Sequence, residues 1–185
     1  MRGLIDRLRS DDALMQAYQR GDADAFESLY RRHKDGLFAF LYRSCGQGPV
    51  VEEVAQDTWL AVISSAASYR TQGNFKTWLY RIGRNRLVDY WRRRDNAHRS
   101  LSDAEEPEAN PSGQPGEDAT ADIMSAVAAL PAEQRDTVLL REQGFSLADI
   151  AHITDAGEET VKSRLRYARK QLRTWLEAEP GASHE

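Results

Sequence analysis

The sequence predicts an all-α protein made of two small helical domains joined by a flexible linker. Apolar residues recur at three- and four-residue spacing, and no segment shows the sustained alternation that is typical of a strand. The stretch 95–119 is rich in Pro, Gly, Ser and acidic residues, so it buries too little apolar surface to offset the entropy lost on ordering. We therefore expect a first domain over 1–94, a linker over 95–119, a second domain over 120–178 and a disordered tail over 179–185.

Helix-starting and helix-ending residues divide the first domain into four segments. The first three are predicted over 11–20, 22–45 and 50–69, each opened or closed by Asp, Gly or Pro. The fourth begins after Asn74, whose side chain can cap a helix. Its apolar stripe consists of Phe75, Trp78, Leu79, Ile82, Leu87, Val88 and Trp91.

The second domain is predicted to end in a short helix, a tight turn and a long helix. Two helices come first, one capped by Thr120 and one with Pro131 as its first residue. Ser146 and Asp149 then have the spacing of a capping box, which opens a helix of about two turns. The break 154–157 follows, and Asp155 with Glu158 has the same capping-box spacing. The last helix is predicted from about Glu158 to Glu177.

Charge is strongly segregated along the chain, although the net charge is only −4. Residues 70–99 include nine basic and two acidic residues, and residues 160–173 include six basic residues and no acidic one. Between them, 103–122 holds seven acidic residues and no basic one. Phosphate binding depends on local charge, so two basic blocks indicate a nucleic-acid partner despite the acidic average.

Other features of the sequence restrict the class of protein. The amino-terminal residues lack the apolar core of a signal peptide, and no apolar run is long enough to span a bilayer. A single cysteine, Cys45, allows no disulfide within the chain. We therefore expect a cytoplasmic protein that is not itself in the membrane. The four histidines and Cys45 show no metal-ligand spacing, and no nucleophile or phosphate-loop motif is present, so we expect no metal, no cofactor, no small-molecule substrate and no enzyme activity.

Residues 146–173 have the pattern of a helix-turn-helix, whose second helix enters the major groove of DNA. On that helix Val161, Leu165, Ala168 and Leu172 share a face that must pack inward. Long donors and an aromatic residue then point outward, where they can contact base edges and phosphates. A merely solvated amphipathic helix would show the same periodicity, but the short capped helix before it favours DNA binding.

Residues 70–94 interleave arginines with Phe75, Trp78, Tyr80, Tyr90 and Trp91. Single-stranded nucleic acid is bound in this way, because unpaired bases stack on aromatic rings while a basic groove follows the backbone. Some of these rings must instead belong to the core. The side-chain amide of Asn85, among Arg81, Arg84 and Arg86, can contact a base edge or can be an ordinary surface group.

Two specific segments, WLYRIGRN (78–85) and ETVKSRLRYARKQLR (159–173), resemble the extracytoplasmic-function (ECF) group of sigma-70 family factors. The resemblance covers most of the chain, with sigma region 2 in the first domain and region 4 in the second. It implies a factor that binds core RNA polymerase and directs promoter-specific initiation. The alternatives are an ordinary helix-turn-helix regulator, an enzyme with a DNA-binding domain and a protein-binding module. The regulator would not need the aromatic-arginine helix or the acidic helix face, the enzyme would need a catalytic constellation that the sequence lacks, and the protein-binding module would not need two basic blocks.

The resemblance also implies roles for individual residues. Contacts to the clamp helices of the polymerase β′ subunit are implied for Glu53, Gln56, Asp57 and Trp59, on a helix face that is otherwise expected to be solvated. Contacts to the −10 element are implied for Arg70, Asn74, Lys76, Trp78, Arg81, Arg84, Asn85, Arg92 and Arg93. Contacts to the −35 element are implied for Thr160, Lys162, Ser163, Arg166, Tyr167, Arg169 and Lys170.

Further partners are implied by the same resemblance: the polymerase β-flap for region 4, and an anti-sigma protein that holds the factor inactive. This chain differs from the common family pattern in the turn, at Thr154 and Asp155, and on the last helix, at Glu159 near its start and at Tyr167 further along. Base preference at the −35 element therefore does not carry over from other members of the family.

Overall fold

The computed structural model describes residues 9–70, 74–101 and 119–178. Within them the chain forms eight α-helices and one short 3₁₀ turn, and no strand occurs there. The predicted all-α class is confirmed. The chain separates into two compact units, residues 1–101 and 102–185.

The first unit contains four described helices and the 3₁₀ turn. They are α1 (Asp11–Gln19), α2 (Ala23–Cys45), α3 (Gly48–Ser65), the turn Ala66–Ser68 and α4 (Phe75–Leu101). The helix α4 continues through residues 95–101, where the sequence predicted the start of the linker. The rest of the predicted linker, 102–118, and the predicted tail, 179–185, lie outside the described residues.

Local sequence explains where these helices begin and end. Ser10 caps α1 by accepting a hydrogen bond from the Ala13 N–H, and Asp22 caps α2 in the same way. Gly46 ends α2 in the left-handed conformation, with φ of 71°, which a glycine adopts without a steric cost. Asn74 caps α4, since its side-chain oxygen accepts from the Lys76 N–H at 2.9 Å.

The core of the first unit lies where α2, α3 and α4 pack together. Gly83 of α4 makes this approach possible, because a Cβ atom there would lie 3.0 Å from Cδ1 of Leu37 on α2. The helix α1 covers one end of the core through two residues with no exposed surface, Leu14 and Met15. The other large, fully buried side chains of this unit include Leu29, Leu37, Phe40, Leu41, Phe75, Leu79 and Tyr80.

The second unit contains α5 (Ala119–Ala128), α6 (Ala132–Glu142), α7 (Leu147–Thr154) and α8 (Glu158–Ala178). The helix α8 packs against the other three. Its inward face is the predicted one: Val161 and Ala168 are fully buried, Leu165 is buried and Leu172 is half-buried.

The structure confirms one predicted capping box of the helix-turn-helix and corrects the other. Ser146 and Asp149 exchange both bonds of the box at the start of α7. Asp155, expected to open a second box, instead ends α7 in the left-handed conformation, with φ of 51°. Pro131 lies just before α6, which begins at Ala132, instead of being its first residue.

Candidate nucleic-acid interfaces and docking groove

One face of α4 carries four of the residues predicted to contact unpaired DNA. Trp78, Arg81, Asn85 and Arg92 follow one another at three-, four- and seven-residue spacing, which aligns them along one side of a helix. Asn85 and Arg92 are exposed, and Trp78 and Arg81 are half-buried. This α4 face therefore combines an aromatic ring, an amide and two guanidinium groups on one surface.

The remaining residues predicted for this site are not all on the α4 face. Lys76 lies on the opposite side of the helix, with its ammonium group 5.8 Å from the centre of the Tyr80 ring. Arg93 donates from Nε to the carbonyl oxygen of Asp89, and Arg84 is half-buried a quarter turn from Asn85. Asn74 is exposed but serves as the helix cap, and Arg70 is exposed directly after Tyr69.

The structure separates the core aromatics of this region from those that reach the surface. Phe75 and Tyr80 are fully buried, and burial raises the pKa of Tyr80 to about 12. Trp78 is half-buried, with its ring 4.8 Å from that of Tyr69. Val88, predicted to lie on the buried stripe, is instead 47% exposed. That prediction was wrong because Val88 lies about 140° around the helix from Gly83, which faces Leu37, so Val88 points away from the packed side of α4.

The outward face of α8 carries the residues predicted to contact duplex DNA. Thr160, Lys162, Arg166, Tyr167, Arg169 and Lys170 are exposed, and Ser163 is half-buried. The Arg166 guanidinium lies 5.2 Å from the centre of the Tyr167 ring, so the two side chains form a cation–π pair. With Arg141 and Arg173, four of these side chains line a basic cleft of about 660 Å³; they are Lys162, Arg166, Arg169 and Lys170.

Several charged residues of α8 form ion pairs within the protein, and two of these pairs affect its basic face. Glu159 accepts a hydrogen bond from the Lys162 ammonium at 2.6 Å, and this contact raises the pKa of Lys162. Arg164, counted in the basic block from sequence, points toward α6 and pairs with Glu133. Its side chain is only 17% exposed, so Arg164 connects α8 to α6 within the second unit and does not belong to the outward basic face.

An apolar groove lies between α2 and α3 on the first unit. Its volume is about 510 Å³. Trp59 lies in it, 8% exposed, with its ring 5.0 Å from Tyr30 and 6.0 Å from Phe26. The groove is lined by Phe26, Tyr30, Lys34, Asp35, Phe38, Glu52, Ala55, Gln56, Trp59, Leu60 and Ile63.

The groove includes two of the four residues predicted to contact polymerase. Gln56 and Trp59 line it. Glu53, which is exposed, and Asp57, which is half-buried, lie about a quarter turn away on α3. Of the acids on α3, Glu52 lines the groove, whereas Glu53 and Asp57 border it.

Four groove residues were missed as binding residues in the sequence. Tyr30 is 42% exposed, Phe38 is 39% exposed, Leu60 is 56% exposed and Ile63 is 43% exposed. Large apolar side chains grouped at this exposure are typical of a surface that binds another protein. The sequence could have indicated this surface, because α2 and α3 carry more apolar residues than one buried stripe on each helix requires.

Comparisons with known proteins show the family of the chain. The Sigma-70 region 2 family matches residues 29–97, and the Sigma-70 region 4 family matches residues 120–172. The ECF RNA polymerase sigma factor SigM of Mycobacterium tuberculosis is 34% identical over 173 residues, which are 89% of this chain and 83% of that protein.

Two solved structures share the fold. The sigma factor RpoE in complex with the anti-sigma factor NepR, from Bartonella quintana, has a TM-score of 0.69 at 27% identity, over 83% of this chain and 98% of that one. CnrH in complex with the cytosolic domain of CnrY has a TM-score of 0.69 at 26% identity, over 92% and 99% of the two chains.

The two family matches together span well over half of the chain, and they include most of α4 and most of α8. The chain belongs to the ECF group of the sigma-70 family and is a promoter-recognising sigma factor. Factors of this kind initiate transcription without being enzymes. None of the helices in residues 9–70, 74–101 and 119–178 is long and apolar enough to cross a bilayer.

Proposed function

We propose that three separate surfaces divide the work of promoter-specific initiation. The α2–α3 groove docks on core RNA polymerase, the α4 face captures the unpaired −10 strand, and the outward face of α8 binds the −35 duplex. The observation that carries the proposal is the alignment of Trp78, Arg81, Asn85 and Arg92 on one face of α4. An ordinary duplex-binding regulator has no use for this surface.

Chemistry supports a single-stranded target for the α4 face. Trp78 offers a half-buried ring on which an unpaired base can stack, and Arg81 and Arg92 supply positive charge for the backbone. Asn85 is exposed between them and has an amide that can donate and accept at once, as a base edge requires. A base taken out of a duplex costs a few kcal/mol, and these contacts would offset that cost.

The groove supports docking on polymerase because it is apolar, open and bordered by acids. Aromatic residues such as Tyr30 and Trp59 dominate the energetics of many protein interfaces. Glu53 and Asp57 at its edge favour a basic partner and repel DNA. We place the β′ clamp helices in this groove, and the β-flap on region 4.

The outward face of α8 supports duplex binding near the −35 element. Lys162, Arg166 and Arg169 are exposed on the second helix of a helix-turn-helix, from which side chains reach the major groove. Arg166 and Tyr167 form a joined cationic and aromatic surface that can contact a guanine edge or a thymine methyl. Glu159 at the start of the helix repels nearby phosphates.

The direct test is transcription with purified core polymerase that lacks any sigma factor. Addition of this chain should yield specific transcripts from fragments of its own genome. Tight binding to those fragments without polymerase, combined with no transcript when polymerase is present, would contradict the proposal in favour of an autonomous regulator. Since polymerase acts in the cytoplasm, we also place the protein there.

Variants separate the surfaces. Asn85→Ala should slow open-complex formation while leaving core affinity within about twofold, and Gln16→Ala, at an exposed amide on α1, is its control.

Leu60→Asp should weaken core binding at least tenfold because it places a charge in the apolar groove. Leu176→Asp, at a similar exposure in the second unit, is the matched control. Asp57→Ala should weaken core binding less than Leu60→Asp. Equal core affinity for all of these variants would remove the groove from the proposal.

We further propose that an anti-sigma protein restrains this factor. The support comes from two solved structures with the same fold. RpoE of Bartonella quintana is bound to the anti-sigma factor NepR, and CnrH is bound to the cytosolic domain of CnrY. The chain isolated from unstimulated cells of its own host should carry one stoichiometric protein that blocks core binding when added back. Unchanged core binding in the presence of every co-purifying protein would exclude such a partner.

A further inference from the structure

Helix α1 holds the chain immediately before Arg70 through two hydrogen bonds from one side chain. The Gln19 Nε2 group donates to the carbonyl oxygen of Ala66 at 2.8 Å and to that of Tyr69 at 3.0 Å. These two carbonyls lie at the ends of the 3₁₀ turn, whose own bond runs from the Tyr69 N–H to Ala66. The amide of Gln19 therefore fixes the turn at both ends.

Tyr69 is held from two sides. Its hydroxyl donates to the Asp12 carboxylate of α1, and its ring packs 4.8 Å from Trp78 and 6.1 Å from Phe75, both on α4. Only 6% of Tyr69 is exposed. Burial, together with the bond to Asp12, raises the pKa of Tyr69 well above its ordinary value, so the hydroxyl keeps its proton.

The helix α1 is in turn fixed to α2. The two oxygens of Asp11 bind Arg32 and the Nε2 atom of His33, each at 2.7 Å. Burial opposes ionisation of Asp11, but the contacts with His33 and Arg32 outweigh it and lower its pKa. The His33 ring lies 5.5 Å from that of Phe75, the first residue of α4. A continuous set of contacts thus connects α2, α1, the turn and the start of α4.

We infer that Gln19, together with Asp12, is a positioning residue for the −10 contact: through the turn and Tyr69 it sets where Arg70 and the Trp78 ring lie. The inference rests on the proposed function of the α4 face. Neither residue itself contacts the DNA; both act through Tyr69 and the turn. A chain held before the strand arrives loses less entropy on binding, so the contacts that hold it increase the capture of an unpaired strand.

The test uses the full chain with core polymerase and a duplex promoter that carries a fluorescent base at the −10 element. Gln19→Met removes both donors at nearly constant length, and Gln19→Lys keeps a donating group. Gln16→Met makes the same change at an exposed glutamine of α1 and is the control. Rates of open-complex formation, core affinity and melting temperature are measured for each variant.

We expect Gln19→Met to slow open-complex formation about fivefold to tenfold, with core affinity within twofold and transcription from a pre-melted template nearly unchanged. Gln19→Lys should recover at least half of the lost rate, and Gln16→Met should match the parent. A parental opening rate for Gln19→Met overturns the inference. A loss that parallels core affinity or melting temperature also overturns it, as does a lack of recovery by Gln19→Lys.

The parent and Asn85→Ala, measured alongside, separate this inference from the proposed function. A parent that gives no specific transcript, or an Asn85→Ala variant that opens promoters at the parental rate, defeats the proposed role of the α4 face. A slow Asn85→Ala variant beside a Gln19→Met variant of parental rate defeats only the positioning role.

Discussion

Gly83 lies where α4 packs closely against α2 and α3, and one substitution there, Gly83→Ala, has opposite expected effects in two backgrounds. A Cβ atom at this position would be 3.0 Å from Leu37 Cδ1, 3.6 Å from Thr58 Oγ1 and 3.7 Å from Leu41 Cδ2. Leu37 has no exposed surface, so its methyl group has little room to move. The close contact therefore resists any side chain larger than a hydrogen atom.

The net effect of Gly83→Ala follows from two opposing terms. Alanine in a helix interior gains about 1 kcal/mol over glycine. The added methyl overpacks the contact with Leu37 at a cost of about 1–3 kcal/mol. We expect Gly83→Ala to lower the free energy of unfolding by about 0–2 kcal/mol. Leu37→Ala alone should lower the free energy of unfolding by about 2–5 kcal/mol. In that background the methyl group of Leu37 is gone, so Gly83→Ala should instead raise the free energy of unfolding by about 1 kcal/mol.

The assay is urea unfolding of the parent, both single variants and the double variant, followed by tryptophan fluorescence. Three of the four tryptophans, Trp59, Trp78 and Trp91, lie in the first unit, so the signal reports mainly on its unfolding. The cycle should give a coupling energy of about 1–3 kcal/mol. An effect of Gly83→Ala that is the same in both backgrounds would refute the argument from close contact.

Three further predictions follow from charges and backbone geometry. Asp11→Asn should lower the melting temperature at pH 7. Because the pKa of Asp11 is lower in the folded state, the ionised carboxylate stabilises the fold above the unfolded-state pKa of about 4, and this stabilisation is lost as the pH falls through the folded-state pKa. The difference in melting temperature between the variant and the parent should therefore narrow below about pH 4. A constant difference from pH 7 to pH 3 would contradict this. Asp155→Gly should be more stable to urea than Asp155→Ala by about 1 kcal/mol, because the residue has a φ of 51°; equal stability would exclude backbone strain as the reason. Glu159→Gln should strengthen duplex binding several-fold, because it frees Lys162 from its ion pair and removes a negative charge that repels phosphate. The slope of log affinity against log salt concentration should steepen by the equivalent of up to about one phosphate contact. Fluorescence anisotropy at several salt concentrations measures both the affinity and the slope, and an unchanged slope would place Lys162 away from phosphate.

Features that depend on residues close in sequence were predictable. The caps at Asp22, Asn74 and Ser146 follow from side chains that bind backbone groups within one turn. The inward face of α8 follows from its periodicity. Asp155 was misassigned because an aspartate can cap a helix start and can also adopt the left-handed conformation that ends one, and spacing alone does not separate these uses.

Features that depend on distant residues were not predictable from one sequence. Arg164 looks like its neighbours on α8, and only the position of Glu133 on α6 shows that it pairs internally. The bond from Gln19 to Ala66 joins residues 47 apart in the chain. The exposure of Leu60 and Ile63 depends on how far α2 covers α3, which periodicity does not determine.

The apolar groove also has a consequence for the lifetime of the unbound protein. Four large side chains, Tyr30, Phe38, Leu60 and Ile63, are exposed together only while nothing covers the groove. Such a surface favours self-association and recognition by the machinery that removes misfolded chains. A copy that finds no partner should therefore be short-lived, and the amount of this factor in a cell should follow the number of partners available to cover it.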